Sequence, residues 1–241
     1  MSGHSKWATT HRQKAIVDAK RGAIFTKIGN QIAIAARGGT DPATNSALAM
    51  AIEKAKAANM PNANIQRAID RVNDKNAAAL EEVTYEAYGP GGVGIIVEAA
   101  TDNKNRTYPE IRTALTKNGG TMADAGSVMF QFTRKGVIRV AATGEDALLQ
   151  VLDAGAEDAV EEGGGLTVYT DMKDLAKVRA ALVQVGLNVE DAELQYVANN
   201  DVPVDDTETA RKLMKVLDAV EELDDVTNVH TNADITVDID E

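Results

Sequence analysis

Apolar residues recur at three- and four-residue steps along the first third of the chain, which is the spacing of amphipathic helices. One such stripe covers residues 14–36, and the glycine pair at 38–39 follows it as a helix-ending signal. Asp41 and Pro42 then predict the N-cap and first position of a second helix, and a break at residues 59–61 separates it from a third. This pattern predicts a bundle of three short helices.

Beyond the helices the pattern becomes that of β-strands. Two β-rich runs on either side of Gly-Pro-Gly-Gly at 89–92 predict a hairpin over residues 83–98. The spacing from Thr107 to Glu110 matches a capping box, so we expect a helix to begin there. Residues 128–132 are predicted as a further strand.

The next part of the chain has the order strand, helix, strand, strand, helix, strand, which is typical of a ferredoxin-like unit. The strands are predicted at 137–141, 157–161, 166–170 and 188–197, and the helices at 145–154 and 173–185. A last amphipathic helix and a strand at 226–230 follow Pro203. Because a lone helix and strand cannot bury their own apolar faces, we expect them to pack on the sheet that begins at Val83.

The sequence therefore predicts an α+β protein of three domains. The first is an N-terminal three-helix basic bundle over residues 1–75. The second is a discontinuous α/β domain built from residues 80–132 plus 203–241. The third is a ferredoxin-like βαββαβ domain over residues 135–200.

Charge is distributed unevenly along the 241 residues, and the total of −12 conceals this. Residues 1–75 contain twelve basic and five acidic residues, a net charge of +7, so the remainder carries −19. Such a division is typical of a chain that uses one part to bind a polyanion. The chain has no cysteine, no apolar stretch that approaches bilayer length and no signal peptide, so we expect a cytoplasmic protein without a membrane partner.

The N-terminal run 3–14 concentrates the chemistry of nucleic-acid binding, because it places the only tryptophan, Trp7, among basic residues. Lysine and arginine neutralise phosphates with little regard to sequence, and an indole stacks on an unpaired base. The binding residues predicted in this region are Lys6, Trp7, His11, Arg12, Lys14, Lys20, Arg21 and Lys27. In the alternative interpretation, Trp7 packs on the bundle and the charges are only solvated.

A second contact with phosphate or RNA is predicted at Lys104 and Arg106, ahead of the helix expected from Thr107. Backbone amides at a helix N-terminus favour anions, and two cations would add to that field. An ordinary polar cap is the alternative at this position.

The sequence lacks the patterns of an enzyme or a metal site. Its glycine-rich runs lack the Lys-Ser/Thr ending of a phosphate loop, and its three histidines have no carboxylate or cysteine at a ligand or catalytic spacing. The acidic pairs at 205–206 and 224–225 are predicted as helix caps or solvated charge. We therefore expect no catalysis, no cofactor, no metal and no small-molecule substrate.

Six motifs in order resemble those of the YebC/PmpR family, which includes the mitochondrial translational activator of cytochrome oxidase. They are Gly3-His4-Ser5-Lys6-Trp7-Ala8, Asp18-Ala19-Lys20-Arg21-Gly22, Phe25-Thr26-Lys27, Gly38-Gly39-Thr40-Asp41-Pro42, Tyr88-Gly89-Pro90-Gly91-Gly92 and Asp102-Asn103-Lys104-Asn105-Arg106-Thr107. The resemblance implies a three-domain α/β protein. Some members are described as DNA-binding transcriptional regulators, and others as ribosome-associated factors that help translation through proline runs.

Together these observations predict a non-enzymatic regulatory protein that binds nucleic acid. Its partner is expected to be promoter DNA, or alternatively ribosomal RNA on the ribosome, and a scaffold without nucleic acid is the weakest alternative. The sequence has no evident helix-turn-helix with a base-reading second helix, which favours RNA. The family resemblance favours DNA.

Overall fold

The computed structural model describes residues 21–74 and 78–237, with the backbone alone at Arg21. The chain is α+β, as predicted, and divides into two compact units. One contains the residues up to Phe132 together with those from Ala198 onward, and the other is Thr133–Val197. The first unit combines the helical part with the first sheet, so the division into 1–75, 80–132 plus 203–241, and 135–200 stays a prediction.

Three helices build the N-terminal part of the first unit: α1 (Arg21–Ala35), α2 (Ser46–Ala57) and α3 (Asn62–Asp70). Their apolar stripes meet in one core, in which Ile32 and Leu48 are fully buried. The prediction that α2 starts at Asp41 is wrong, because the N-cap is Asn45, whose side chain accepts a hydrogen bond from the Leu48 amide. Asp41 instead closes a turn by accepting the Ala43 amide.

The first sheet has the strand order β3-β1-β2-β9. Its strands are β1 (Glu81–Tyr88), β2 (Gly94–Thr101), β3 (Thr121–Met122) and β9 (Val226–Thr231). β1 and β2 form the predicted antiparallel hairpin. β9 pairs antiparallel with β2, so the C-terminal strand does pack on the sheet that begins near residue 83.

Two helices, α4 (Lys104–Asn118) and α7 (Thr207–Glu221), share one apolar core with this sheet. The core contains Ile95, Ile111 and Leu213, each of them fully buried. α1 packs against β2 and β9. A further pair of short parallel strands, β8 (Val202–Val204) and β10 (Ala233–Ile235), is not predicted by the sequence, because Pro203 indicates a loop.

Two other expectations for this unit are wrong. α4 begins three residues before Thr107, because the Asn103 side chain caps it by accepting the Arg106 amide at 3.2 Å. Residues 128–132 are not a strand throughout, since Met129–Gln131 form a 3-10 turn. The buried carboxylate of Glu86 accepts the amides of Gly126, Val128 and Met129, and this fixes the turn.

The second unit confirms the predicted βαββαβ order. Its elements are β4 (Phe132–Val140), α5 (Glu145–Asp153), β5 (Asp158–Glu162), β6 (Gly165–Thr170), α6 (Leu175–Gln184) and β7 (Val189–Ala198). The strand order is β5-β6-β4-β7, as expected of a ferredoxin-like unit. The glycine run at 163–165 forms the predicted hairpin turn. In the described parts of the chain, no helix is long and apolar enough to cross a bilayer.

Candidate nucleic-acid interface

Most of the predicted N-terminal contact residues fall outside the part of the chain that the structure describes. Lys6, Trp7, His11, Arg12, Lys14 and Lys20 all lie there. Arg21 is the first described residue of α1, and its backbone is helical. The binding role of this segment therefore remains a prediction.

Lys27 is half-buried, and its ammonium group is engaged within the protein. Its Nζ donates to the backbone carbonyl of Glu221, the last residue of α7. Burial lowers the pKa of Lys27, while the carboxylates of Glu221, Asp224 and Glu222 act in the opposite direction. The lysine thus satisfies a carbonyl that α7 leaves without an intrahelical partner. This contact ties α1 to the C-terminus of α7.

Other cations of the helical part remain at the surface. Arg37, just after α1, and Lys56, in the last turn of α2, are exposed and have no ion-pair partner among residues 21–74 and 78–237. Arg67 on α3 is also exposed, and its guanidinium makes a long 3.4 Å contact to the Asn64 side chain. These three side chains retain the donors that a phosphate needs.

The connection between α2 and α3 contains only residues 58–61, which is the spacing of a helix-turn-helix motif. Asn59 has a φ of 57°, so the chain reverses through a left-handed residue, and Pro61 is the N-cap of α3. α3 exposes Gln66 and Arg67, side-chain types that read base edges in a major groove. The sequence pattern does not predict this arrangement, although the break at 59–61 is a signal of it.

Lys104, in the first turn of α4, forms an ion pair with Glu81 on β1. Its Nζ lies 2.5 Å from Glu81 Oε2, and the two side chains are 55% and 59% exposed. The hydrogen bond and charge of Lys104 lower the pKa of Glu81, to which Arg37 also contributes. The same hydrogen bond and charge of Glu81 raise the pKa of Lys104. Because the pair is solvated, a stronger anion could replace Glu81 at modest cost.

Arg106 is held more firmly. Its Nη2 lies 2.7 Å from Asp225 Oδ2 and 3.3 Å from Asp102 Oδ1. The Asp225 carboxylate, only 13% exposed, also accepts the hydroxyls of Thr107 at 2.6 Å and Thr101 at 3.1 Å. Burial would raise the pKa of Asp225, but the hydrogen bonds from Thr107, Arg106 and Thr101 and the charge of Arg106 hold it below its usual range. Arg106 is therefore part of a structural network.

An open cleft of about 640 Å³ lies next to this network, within the first unit. Its lining residues are Thr26, Asn30, Arg71, Leu80, Asp102, Arg106, Glu110, Glu222, Leu223, Asp224 and Asp225. Five carboxylates against two arginines make this cleft acidic, which disfavours phosphate. The described residues contain no group of side chains arranged to hold a metal ion.

Comparison with known proteins identifies relatives along the whole chain. The family description "TACO1/YebC protein N-terminal domain" matches residues 5–75, and "TACO1/YebC second and third domain" matches residues 80–233. A Parafrankia protein named "Probable transcriptional regulatory protein" is 49% identical, covering 99% of this chain and 98% of that protein. A protein of the same name from Salinispora tropica is 50% identical, with coverage of 97% and 96%.

A solved structure is also similar. The crystal structure of a conserved hypothetical protein from Aquifex aeolicus superposes with a TM-score of 0.89 at 42% identity. The match covers 94% of this chain and 95% of that chain. The fold described above is therefore shared with this relative over nearly its full length.

Proposed function

The chain belongs to the TACO1/YebC family, and on this basis we propose that it is a non-enzymatic, cytoplasmic regulatory protein that binds nucleic acid through residues 1–75. The observation that carries the proposal is the division of charge, +7 in this segment against −19 in the rest. Exposed Arg37, Lys56 and Arg67 support it, because they keep part of that charge available to phosphates. The acidic remainder limits unspecific binding and faces solvent or proteins.

The test replaces Lys6, Arg12, Lys14, Lys20 and Arg21 by alanine in the full-length protein. The matched control replaces five exposed basic residues of the remainder, Lys117, Lys173, Lys177, Lys212 and Lys215, so both variants lose the same charge. Binding to duplex DNA and to single-stranded RNA is followed by fluorescence anisotropy between about 50 and 200 mM salt.

For every phosphate that the N-terminal variant no longer binds, the slope of log affinity against log salt should fall by about 0.9 for duplex or 0.7 for single strands. The control variant should keep the wild-type slope. Equal slopes for the two variants would show that residues 1–75 are not the binding segment.

Duplex DNA in transcriptional control is the first candidate target. The relatives' names support it, and so does the short α2–α3 connection with Gln66 and Arg67 exposed on α3. If α3 reads base pairs, Arg67→Ala should reduce discrimination between a specific site and random duplex by about 1–3 kcal/mol. Arg134→Ala, an equivalent loss of charge in the second unit, is the control.

Ribosomal RNA in translation is the second candidate, and Trp7 is the observation that favours it. An indole stacks only on an unpaired base, and such stacking contributes roughly 1–3 kcal/mol per base. Trp7→Ala should therefore weaken binding to ribosomes or structured RNA while leaving duplex DNA nearly unchanged. Uniform weakening for every ligand, together with a lower melting temperature, would indicate that Trp7 packs on the helices instead.

A further inference from the structure

One exposed face of α4 combines an aromatic ring with two cations. It consists of Lys104, Tyr108 and Arg112, and we call it the α4 aromatic-basic face. We propose that this face binds an unpaired nucleic-acid strand, with a base stacked on Tyr108 and phosphates at Lys104 and Arg112. The inference rests on the proposed nucleic-acid-binding function and adds a second contact to that of residues 1–75.

Helix geometry places the three side chains in one row. Residues four apart on an α-helix lie above one another on the same face. At 1.5 Å per residue, Lys104 and Arg112 are about 12 Å apart along the axis, with Tyr108 midway. The adjacent side of the helix, with Ile111 and Leu115, is fully buried in the core. The row therefore lies at the edge of the buried side and faces solvent.

Tyr108 is an exposed aromatic ring on a firm support. It is 42% exposed, and its ring packs against Tyr85 of β1 with centroids 6.0 Å apart and an angle of 52° between the planes. Tyr85 is partly buried against the main core, so Tyr108 rests on a packed neighbour. A ring supported in this way presents its remaining surface with little loss of side-chain entropy on binding.

The hydroxyl group of Tyr85 is a second, independent observation next to this face, because it is buried and lacks a hydrogen-bond partner among the described residues. Burial raises the pKa of Tyr85, the charge of Lys104 acts against that rise, and the charge of Asp225 adds to it. Proteins leave few buried polar atoms unpaired, so this hydroxyl is an unsatisfied polar group next to the α4 aromatic-basic face.

The two cations are available to phosphates. Lys104 pairs with Glu81, both partners are more than half exposed, and such pairs contribute little. Arg112 is exposed, and it has no ion-pair partner within residues 21–74 and 78–237. Arg106, by contrast, points to the largely buried carboxylate of Asp225, so the sequence-based pair of Lys104 and Arg106 is replaced here by Lys104 and Arg112.

The ring of Tyr108 favours unpaired strands over duplex nucleic acid. A duplex hides the faces of its bases and offers only groove edges and phosphates. An unpaired strand exposes base faces, on which tyrosine stacks without regard to sequence. The α4 aromatic-basic face should therefore distinguish unpaired strands from duplex, a distinction that charge alone does not make.

The test uses full-length protein and three probes: oligouridine, oligothymidine and a mixed-sequence DNA duplex, each about 16 nucleotides long. Tyr108→Ala should weaken binding to unpaired strands by about 5- to 150-fold, the range expected when one base no longer stacks. Tyr108→Phe keeps the ring and should stay within about twofold of wild type. Duplex binding should be unchanged in both variants.

Arg112→Ala should reduce the salt slope for the unpaired strands by about 0.7, as expected when one phosphate is no longer neutralised. Lys117→Ala removes an equal charge from the opposite side of α4 and should leave that slope unchanged. If Tyr108→Ala weakens binding to oligouridine alone, the ligand of this face is RNA. If it weakens binding to oligouridine and oligothymidine equally, the face binds single-stranded DNA as well as RNA. Both results support the inference.

Tyr108→Ala with wild-type affinity for both unpaired strands would overturn the inference. Equal weakening on all three probes, together with a lower melting temperature, would also overturn it, since the ring would then be structural. In either case, a loss of binding in the variant of Lys6, Arg12, Lys14, Lys20 and Arg21 would leave the proposed function standing. If the wild-type protein bound none of the probes, the proposed function itself would fail.

Discussion

The helical part and the start of α4 carry cations in two different states. In the helical part, Arg37 and Lys56 are exposed, and the structure gives them no ion-pair partner within its described residues. At the start of α4, Lys104 pairs with Glu81, and Arg106 is bound by Asp225 and Asp102. The two regions look alike in the sequence, as basic residues near helix ends.

This contrast shows that a count of charges does not measure the charge available to a ligand. Arg106 shares Asp225 with two threonine hydroxyls, so a phosphate would have to displace a complete network. Lys56 has no ion-pair partner within residues 21–74 and 78–237 that a phosphate would have to displace. Lys27 shows the same contrast inside the helical part, because its ammonium group completes the C-terminus of α7.

The largest change should follow from removing Asp225. Asp225→Ala removes the largely buried acceptor that Arg106, Thr101 and Thr107 share. Arg106 then retains its longer contact to Asp102, and Thr107 retains the Asn103 carbonyl. We expect the free energy of unfolding to fall by about 2–3 kcal/mol. Chemical denaturation with urea measures this loss. Asp224→Ala, at the exposed neighbouring position, should change it by less than about 0.5 kcal/mol, and equal losses would refute the network.

The pH dependence of stability tests the bound state of Arg106 more closely. The folded-state pKa of Asp225 is depressed, so its stabilising contribution is present above the unfolded value of about 4 and is lost as the pH falls through the lower folded value. Wild type should therefore be more stable than Asp225→Asn at neutral pH, and the difference should shrink below about pH 4. A difference that stays constant under acid would show that the carboxylate charge plays no part.

A smaller effect should distinguish the bound lysine from the exposed one. Lys56→Met should reduce the salt slope of nucleic-acid binding by about 0.7 to 0.9, whereas Lys27→Met should leave that slope unchanged. The reason is that Lys27 donates to Glu221 and is half-buried, while Lys56 is exposed. Equal reductions in the two variants would contradict this distinction, and thermal melting checks that both are folded.

The weakest effect concerns Glu81. Glu81→Gln frees Lys104 without a measurable change in melting temperature, since both side chains are more than half exposed. Affinity for unpaired strands should rise by a factor of about two. Glu82→Gln removes the same charge from the adjacent exposed position and should give a smaller rise. An equal rise in affinity for Glu81→Gln and Glu82→Gln would show that the net charge of the protein, and not the release of Lys104, determines the affinity.

Much of the fold can be predicted because it depends on local patterns. The hairpin around Gly-Pro-Gly-Gly and the βαββαβ order both follow from strand and turn signals within a few residues of each other. The start of α4 is misplaced by the sequence pattern because Asn103 and Thr107 are both good caps by composition. Only the packing shows that Thr107 is buried and bonded to Asp225, which leaves Asn103 as the cap.

The candidate site is less predictable. The sequence identifies Lys104 and Arg106 as candidate cations but does not single out Tyr108 and Arg112, because their exposure depends on which side of α4 meets the sheet. The short α2–α3 connection is visible as a break, yet the outward direction of Gln66 and Arg67 follows only from the burial of Ile65 and Ile69. In both cases the sequence does not predict which way the side chains point.

The order of the main helices and strands and the separation of +7 from −19 follow from the chain alone, because they depend on local patterns and composition. The return of the C-terminal strand to the first sheet also follows from the chain, because a lone helix and strand cannot bury their own apolar faces. Which cations stay available depends instead on tertiary packing. Arg106 meets Asp225 across 119 residues, and Lys27 meets Glu221 across 194. The strength of such a pair depends on distance and burial, and both are set when the discontinuous sheet and its helices pack together.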